Sequence, residues 1–377
     1  MRFMHLSDLH IGKKINNLSL NEDQDYILKI ILKIIDDYQV ESVLIAGDIY
    51  DKAIPSTEAI RLFDDFLVSL VKRNLNVFII SGNHDSPERL SFGRRLMNLN
   101  KIYISPVYNG TVDPILLEDR FGDINVYLLP FIKPVLVKHY YPEETIDDYT
   151  KAVEKAINEM HIDYSKRNII VSHQFVTGSS KDGSEELSIG GLDNVDSYVY
   201  ENFDYVALGH VHRPQNVKGQ YIRYSGTPMK YSFSEEKHNK TITIIDINEK
   251  GNVELQYIPI QAKRDFITVS GKYEELINHV PDYVKEEDFI HIILTDEMDI
   301  PNAFNNLTTK YKNLVSMSYD NKRTRGTNSI DSKRINTELL PIELFSEFFE
   351  NRNNQPLTLE QTEYLKSKID EIWEENQ

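Results

Sequence analysis

The sequence predicts an α/β fold, and three observations lead to this prediction. First, runs of Val, Ile, Leu and Phe that are typical of buried strands alternate with amphipathic helical segments through the N-terminal half, at the spacing of βαβ units. Second, polar motifs follow several of these runs, as expected where ligands bind at the carboxyl ends of strands in an α/β sheet. Third, a β-α-β-α-β pattern starts again after about residue 261, which indicates a separate small domain.

The length and composition set limits on the class of protein. A chain of 377 residues is too long for one typical domain, and 40% apolar with 27% charged residues suits a globular protein with a core. The absence of cysteine excludes disulfides and zinc–thiolate sites. The first residues lead into a strand without a signal-peptide pattern, and no segment is apolar enough to span a membrane. We therefore expect a cytoplasmic protein without a membrane partner.

The first 260 residues are predicted to form one domain of alternating elements. Its strands are expected, in chain order, at residues 3–7, 42–46, 77–81, 124–129, 168–172 and 205–208. Its helices are expected at 22–37, 56–72 and 147–160, and the Gly- and Ser-rich segment 177–194 is expected to be a mobile loop. Segments 222–224 and 241–247 are predicted to form an antiparallel pair, which 251–259 continues.

The rest of the chain is predicted to form three parts. Residues 261–321 are expected to form a small α/β domain, with strands at 266–270, 289–295 and 314–319 and helices at 273–279 and 301–311. Residues 322–337 are polar and are predicted to be a linker. Residues 338–377 are predicted to form two amphipathic helices, the second opened by a capping box of Thr358 and Gln361. Their apolar faces either pack on the body of the protein or bind a partner, and they contain Ile342, Phe345, Phe348, Phe349, Leu365, Ile369, Ile372 and Trp373.

Five short motifs carry the chemistry, because their polar residues are Asp, Asn and His, which are ligands for first-row divalent metals. Each motif alone is weak support, since Gly, Asn and Asp also favour turns. Their order matters more: the separations of 40 residues from Asp8 to Asp48 and of 35 from Asp48 to Asn83 are each about one βαβ unit. Seven donors could fill two metal sites, which is the equipment for hydrolysing a phosphate ester. The motifs are Asp8-Leu9-His10, Gly47-Asp48-Ile49-Tyr50-Asp51, Gly82-Asn83-His84-Asp85, Ser172-His173-Gln174 and Gly209-His210-Val211-His212.

This ordered set of motifs resembles that of the calcineurin-like metallophosphoesterase superfamily. Three further features are similar to the SbcD family of nuclease subunits: the opening segment 1–12, the segment Tyr-Ser-Gly-Thr-Pro-Met-Lys-Tyr-Ser-Phe-Ser at 224–234, and the two-helix tail. The resemblance implies a metallophosphoesterase β-sandwich flanked by helices. It also implies a small α/β capping domain and a C-terminal helix-loop-helix.

The resemblance further implies ligands for two divalent ions, with Asp48 bridging them. Mixed carboxylate, amide and imidazole ligands suit Mn²⁺, which the family also implies. One ion would be held by Asp8, His10, Asp48 and His212. The other would be held by Asp48, Asn83, His173 and His210.

Two motif residues are expected to act on the substrate instead of holding metal. The resemblance places His84 opposite the scissile phosphate, where it donates a proton to the leaving oxygen or steadies charge. Asp51 is placed like the carboxylate that orients this imidazole, and such a pair raises the pKa of a histidine. Lys52-Ala53 and Asp85 stand where protein phosphatases of the superfamily carry Arg-Gly and Glu, which argues against a phosphoserine substrate.

The resemblance implies a DNA nuclease, with 3′→5′ exonuclease activity on duplex ends and endonuclease activity on single strands and hairpins. It also implies a homodimer, and a complex in which the C-terminal helices bind the ATPase subunit SbcC for DNA end processing, recombination and repair. The net charge of −17 argues weakly against DNA, but Lys13, Lys14 and Arg89 lie next to motifs and are expected at the mouth of the site. Two alternatives stay open: a phosphoesterase for cyclic nucleotides or small phosphates, and a non-catalytic DNA-end scaffold.

Overall fold

The structure, a computed structural model, describes residues 1–16, 18–179, 193–325, 342, 345–346, 349–350 and 355–375. It divides into two compact units, Met1–Asp265 and Phe266–Gln377, which are described separately. Most of the expected loop at 177–194 lies outside the described residues. The same holds for most of the predicted linker, most of the first tail helix and the side chain of Trp373.

The first unit contains two six-stranded mixed sheets. In the first sheet, β1, β4, β5 and β6 run parallel, while β15 pairs antiparallel with both β1 and β16. Because the parallel strands point the same way, their carboxyl ends meet at one edge. The spatial order is β16 (Val253–Pro259), β15 (Thr241–Ile247), β1 (Arg2–Leu6), β4 (Ser42–Ala46), β5 (Asn76–Ile80) and β6 (Ile102–Ile104).

The second sheet is also mixed, but it has one antiparallel strand at each edge. Its central strands β8, β9, β12 and β14 are parallel, and the two edge strands β7 and β13 are antiparallel to their neighbours. Two small pairs lie outside the main sheets: β2 (Lys14–Ile15) is antiparallel to β3 (Leu18–Ser19), and β10 (Phe175–Val176) is parallel to β11 (Asn194–Val195). The spatial order is β13 (Gln215–Asn216), β14 (Ile222–Tyr224), β12 (Tyr205–Gly209), β9 (Arg167–His173), β8 (Gly122–Leu129) and β7 (Ile115–Asp119).

The two sheets pack face to face and share one apolar core. Phe3, Leu44 and Phe78 of the first sheet lie in the same buried cluster as Val126 and Ile169 of the second. The other face of the second sheet is covered by two amphipathic helices, α5 and α6, which bury a second cluster. The resulting β-sandwich flanked by helices agrees with the predicted fold. The helices of this unit are α1 (Asn21–Asp37), α2 (Thr57–Val71), α3 (Pro87–Leu90), α4 (Arg94–Met97), α5 (Pro134–Tyr140) and α6 (Tyr149–Asn158).

One predicted strand pairing is wrong. The segments 222–224 and 241–247 do not pair with each other, because β14 lies beside β12 in the second sheet and β15 lies beside β1 in the first. Only the continuation into β16 is antiparallel as expected. Alternation of apolar residues identifies a strand but carries no information on which of two sheets it joins. The segment between β14 and β15 therefore crosses from one layer to the other.

The second unit contains a three-stranded parallel sheet of β17 (Phe266–Gly271), β18 (Phe289–Leu294) and β19 (Leu314–Tyr319). Helices α7 (Tyr273–Asn278) and α8 (Ala303–Leu307) share its buried cluster. The helix predicted at 301–311 is shorter in the structure: it begins only after Asn302, which adopts a left-handed conformation with φ 56°, and it ends at Leu307. The predicted linker starts with a short helix, α9 (Lys322–Arg325).

The tail contains one helix whose bounds are described, Leu359–Glu375. It begins with the predicted capping box: the Thr358 main-chain N–H donates to Gln361 Oε1 at 3.0 Å, and the Gln361 N–H donates to Thr358 Oγ1 at 3.2 Å. Across the described part of the chain, no helix is long and apolar enough to cross a membrane.

Candidate metal centre

All seven predicted metal ligands come together at one edge of the sandwich. In the first sheet, Asp8 and His10 follow β1, Asp48 follows β4 and Asn83 follows β5. In the second sheet, His173 is the last residue of β9, and His210 and His212 follow β12. The centre is therefore assembled where the carboxyl ends of strands from both sheets meet.

The backbone of this edge is strained where the predicted ligands stand. Asp8, His10 and Asp48 adopt left-handed conformations with φ of 52°, 42° and 49°, and His210 has φ 105°. Residues other than glycine seldom adopt positive φ, and such conformations gather at functional sites when the surrounding structure imposes them. The turn after each strand thus directs its side chain into the centre.

The first half of the centre consists of Asp8, His10 and His212. The imidazole Nε2 atoms of His10 and His212 lie 3.2 Å apart, and ligand atoms of all three residues lie within 4.8 Å of one another. The Asp8 carboxylate also accepts the main-chain N–H of His210 at 3.0 Å, which ties β1 to the loop after β12. These side chains are almost completely buried.

The second half consists of Asn83, His173 and His210. The Asn83 side-chain oxygen Oδ1 lies 3.0 Å from His173 Nε2 and 3.0 Å from His210 Nδ1. The other ring nitrogen of His173, Nδ1, lies 2.8 Å from the main-chain oxygen of Ala46, which accepts its proton. This contact fixes the tautomer and leaves Nε2 directed at the centre.

Asp48 lies between the two halves. Its Oδ2 is 3.4 Å from His173 Nε2 and 3.6 Å from His10 Nε2, while its Oδ1 accepts the main-chain N–H of His84 at 2.9 Å. Gly82 makes room for this carboxylate, because a Cβ atom there would lie 2.1 Å from Asp48 Oδ1. The position is the one expected of a bridging ligand.

The spacing of the donors fits divalent ions. Two ligand atoms each about 2.1 Å from one ion, at an angle of roughly 90–110°, lie about 3.0–3.4 Å apart. The separations within the two halves, 3.0 Å and 3.2 Å, fall in this range, and those from Asp48 Oδ2 to His173 and His10 are 3.4 Å and 3.6 Å. Carboxylate, amide and imidazole groups together suit ions such as Mn²⁺ or Zn²⁺ and do not select between them.

His84 lies at the rim of the centre, where it is partly exposed. Its Nε2 is 4.0 Å from Asp48 Oδ2, so that His84 forms a third cluster with His10 and Asp48. Its Nδ1 is 3.1 Å from the main-chain oxygen of Asp51, not from the carboxylate. The Asp51 carboxylate instead accepts a hydrogen bond from Lys13 Nζ at 2.8 Å. We expected the Asp51 carboxylate to orient His84, and this expectation is wrong. The neutral main-chain carbonyl of Asp51 orients the imidazole instead.

Burial and neighbouring charge shift the pKa values of the centre in opposite directions. Burial raises the pKa of Asp8 and lowers that of His210 to about 3. Burial disfavours the charged form of Asp48, but the adjacent His173, together with His10 and His84, outweighs it and holds the pKa of Asp48 far below its ordinary value. Burial likewise lowers the pKa of His173, and Asp48 reverses this and raises it to about 9. A bound ion would compete with protons for these ligands.

Sequence reasoning missed the buried residues Glu235 and Gln24 around the ligands, and it gave the motif residue Asp85 no structural role. Glu235 contacts His212 Nδ1 at 3.2 Å, and Gln24 donates to the main-chain oxygen of His10 at 2.7 Å. The Asp85 carboxylate accepts the main-chain N–H groups of Ile49 and Gly82 at 3.1 Å and 3.0 Å, which ties together the loops after β4 and β5. Glu235 directly follows the 224–234 segment, which was the available signal.

Comparison with known proteins agrees with this geometry. The calcineurin-like phosphoesterase family matches residues 1–214. The SbcD subunit of the SbcCD nuclease of Staphylococcus epidermidis is 30% identical to this chain, over 97% of each of the two chains. This chain belongs to the SbcD family of calcineurin-like phosphoesterases. The SbcD subunit of the SbcCD nuclease of Staphylococcus saprophyticus is a second relative, 29% identical over 100% of this chain and 99% of that one.

Two further similarities concern the C-terminal part of this chain and a solved structure. The SbcD C-terminal family, described as the type 5 capsule protein repressor C-terminal domain, matches residues 262–353. A solved dimetal phosphatase from Danio rerio covers 69% of this chain and 99% of that chain, with 12% identity and a TM-score of 0.38. The family match and the buried His and Asp clusters establish a metallophosphoesterase.

Proposed function

We propose that this chain is a metal-dependent DNA nuclease that hydrolyses phosphodiesters. Its activities would be a 3′→5′ exonuclease on duplex ends and an endonuclease on single strands and hairpins. The observation that carries the proposal is the convergence of six candidate ligands around Asp48, with His84 at the rim of the same centre. A non-catalytic scaffold would not need buried, strained and charged side chains at this point. Similarity over the whole chain to two nuclease subunits supports DNA as the substrate.

The residues divide the chemistry between them. Bound divalent ions, for which we propose Mn²⁺, supply Lewis-acid stabilisation of charge on phosphoryl oxygens. One ion would be held by Asp8, His10 and His212. The other would be held by Asn83, His173 and His210, and Asp48 would contact both ions. The main-chain oxygen of Asp51 accepts from His84 Nδ1, so that the protonated form of the imidazole would direct its Nε2–H at the leaving oxygen of the DNA and become neutral on giving up that proton. Asp51 itself would act on His84 through its main chain.

Basic side chains near His84 support binding of DNA phosphates. Lys13 is joined to Asp51, whose main chain contacts His84, and the adjacent Lys14 is exposed. Arg89 is exposed on α3, just after the motif that contains His84. Replacing Lys14 and Arg89 by Gln should flatten the dependence of DNA affinity on salt, by about one unit for each phosphate that the variant no longer binds. An unchanged slope in a salt titration would assign them to ordinary surface.

An exposed apolar surface on the first unit supports a homodimer. Phe92, Leu96 and Leu99 are 83%, 71% and 81% exposed, and Phe92 also lines a groove of about 350 Å³ with Ile60 and Met97. Large exposed apolar patches mark sites of association. Sedimentation analysis should show a dimer that Leu96→Asp converts to a monomer, and a monomeric parent chain would contradict the assignment.

The tail is proposed to bind SbcC, the subunit implied by the names of the SbcCD relatives. From residue 338 to 377 the chain has ten acidic and three basic residues, so the tail repels DNA and suits a basic protein surface. Phe345 is exposed in the described part of the tail. Truncation after Glu338 should abolish co-purification with SbcC and leave metal binding intact, and loss of metal on truncation would make the tail part of the structural core.

The nuclease activity is tested with purified protein on end-labelled duplex and hairpin DNA, in Mn²⁺, Mg²⁺ or EDTA. We expect cleavage that begins at 3′ ends of the duplex, opening of the hairpin, and no product in EDTA. A parallel assay with a cyclic nucleotide and with bis-p-nitrophenyl phosphate covers the alternative substrates. Turnover of the small esters without any cleavage of DNA would overturn the nuclease assignment and keep the phosphoesterase.

A further inference from the structure

The segment between β14 and β15 has no role in the function proposed above. It crosses from the second sheet to the first and contains the Ser-Gly-Thr-Pro sequence. Its polar side chains Ser225, Thr227, Glu235 and Lys240 are buried. We call residues 225–240 the crossover segment. Four buried polar side chains in one connection require an explanation, because each loses its hydration on folding.

The crossover segment lies directly against the motifs of the first half. Ser7 Oγ donates to the Gly226 oxygen at 3.1 Å, and the Thr227 main-chain N–H donates to the His212 oxygen at 3.1 Å. Gly226 has φ 74°, and a Cβ atom there would lie 2.5 Å from the His212 oxygen, so only glycine permits this approach. On the other side of His10, the Tyr231 hydroxyl donates to the Leu9 oxygen.

Glu235 reaches a metal ligand directly. Its Oε1 lies 3.2 Å from His212 Nδ1, while His212 Nε2 faces His10 Nε2 at 3.2 Å. A carboxylate on one ring nitrogen keeps the proton there, holds the ring in one orientation and makes the other nitrogen a better electron donor. Glu235 is therefore placed to control which nitrogen of His212 faces the ion.

Lys240 holds Glu235 in this position and balances its charge. Its Nζ donates to Glu235 Oε2 at 2.5 Å, to Thr227 Oγ1 at 2.6 Å and to the main-chain oxygen of His212 at 2.9 Å. The side chains of Lys240 and Glu235 are only 4% and 0% exposed. A buried ion pair seldom stabilises a fold more than apolar residues of the same volume would. Its placement on a ligand points to a role at the centre.

His173 of the second half is supported differently. It is oriented by the neutral main-chain oxygen of Ala46, which belongs to the sheet itself. We propose that Glu235 and Lys240 are positioning residues that set the metal affinity of the first half, through His212, and leave that of the second half unchanged. This inference rests on the metal centre of the proposed function, and it does not depend on DNA being the substrate.

The test measures Mn²⁺ binding by the full chain, by calorimetry and by counting bound ions after gel filtration. Glu235→Gln keeps the size of the side chain and removes its charge. It should lower the affinity for one of the two ions about 10- to 100-fold, which is the usual effect of losing a residue that orients a metal-bound histidine. The affinity for the other ion should stay unchanged. The affected ion should be the one that His212→Ala removes, not the one that Asn83→Ala removes.

A second variant separates positioning from folding, because Glu235→Gln leaves Lys240 buried without a carboxylate. The double variant Glu235→Gln with Lys240→Met removes both charges and should recover most of the lost Tm without recovering the lost metal affinity. Asp204→Asn is the matched control. Its carboxylate is 3% exposed and bonds Lys250 Nζ at 2.7 Å, but it precedes β12, roughly 20 Å along the strand from the centre. The Asp204→Asn variant should have a lower Tm and unchanged affinities for both ions.

The outcomes are distinguishable. Recovery of metal affinity together with Tm in the double variant would show that the pair only supports the fold, and would overturn the proposal. Equal weakening of both ions by Glu235→Gln would overturn it as well. A parent chain that binds two ions but does not cleave DNA would refute the nuclease and leave the positioning role standing. A parent chain that binds no pair of ions would refute the metal centre and with it the positioning role.

Discussion

The two halves of the metal centre are built from the same kinds of side chain but are supported differently. In the first half, His212 is held by the Glu235 carboxylate, and the main chain of His10 is held by Gln24. In the second half, His173 is held by the main-chain oxygen of Ala46 in β4. Side-chain supports can be lost by single substitutions, whereas a main-chain oxygen in a central strand cannot. We therefore expect single substitutions to change the metal affinity of the first half more readily than that of the second half.

Removal of Asp48 should abolish metal binding by both halves, since this residue contacts a histidine of each. Asp48→Ala should lose both ions, and with them all measurable hydrolysis, because a bridging carboxylate serves both sites. Counting bound Mn²⁺ after gel filtration measures this. Two ions retained per chain would show that Asp48 does not bridge.

His84 separates metal binding from chemistry. Because its Nδ1 bonds the main-chain oxygen of Asp51 and its Nε2 stays 4.0 Å from Asp48 Oδ2, farther than the ring nitrogens of His173 and His10, His84→Ala should keep both ions and the affinity for DNA. Cleavage should fall on the order of 10²-fold or more, as for loss of a general acid. Single-turnover rates and metal counts on one preparation decide this. Loss of an ion would make His84 a ligand, in keeping with its cluster with His10 and Asp48.

Two single variants test whether each half binds its own ion. Asp8→Ala should weaken mainly the ion of the first half, and Asn83→Ala mainly that of the second. Each should leave close to one ion per chain at Mn²⁺ concentrations that saturate the parent. Calorimetric titration of the two variants, and of the double variant, should give additive losses. If both single variants lose both ions, the halves do not bind independently.

The last effect concerns the acid stability of the strands that carry the first half. His5 in β1 lies 3.0 Å from the Tyr205 hydroxyl and 3.2 Å from the Leu208 oxygen in β12, and burial, with some repulsion from Arg223, lowers the pKa of His5 to about 3. The unfolded chain binds this proton near pH 6.5 and the folded chain does not. Stability is therefore lost as the pH falls from 6.5 towards 3, by at most about 1.4 kcal/mol per pH unit.

Urea unfolding in EDTA measures this loss, with His5→Gln as the comparison. The variant should be less stable than the parent at pH 7 but should lose less stability on acidification. Parallel pH profiles of the two proteins would show that His5 does not contribute to the acid sensitivity. The EDTA removes any contribution from metal binding, so that the difference between the profiles belongs to His5.

Much of the fold and the convergence of the seven motif residues could be predicted from the sequence, for a physical reason. Strands buried on both faces read as continuous apolar runs, and β4 at Ser42–Ala46 coincides with its prediction. Polar residues that need hydrogen-bond or metal partners when buried follow these runs, and Asp8, Asp48 and Asn83 could be recognised in this way. Motif order then brought in His173, His210 and His212 from the second sheet.

The parts that could not be predicted depend on contacts between distant segments. Glu235 and Lys240 look like ordinary surface charges in the sequence, and only the path of the crossover segment buries them. Asp51 was the natural partner for His84, but the turn presents its main-chain oxygen instead. The pairing of β14 depends on which sheet has an open edge, and local alternation does not contain that information.

The origin of the ligands in both sheets also links metal supply to the amount of folded protein. Asn83 comes from the first layer and His173 and His210 from the second, so an ion held by all three spans the interface between the two layers. In the unfolded chain these ligands are far apart and bind weakly. At a free concentration 100 times its Kd, one such ion would add about 2.7 kcal/mol to the free energy of unfolding. A cell starved of the metal would then lose the protein to proteolysis as well as its activity.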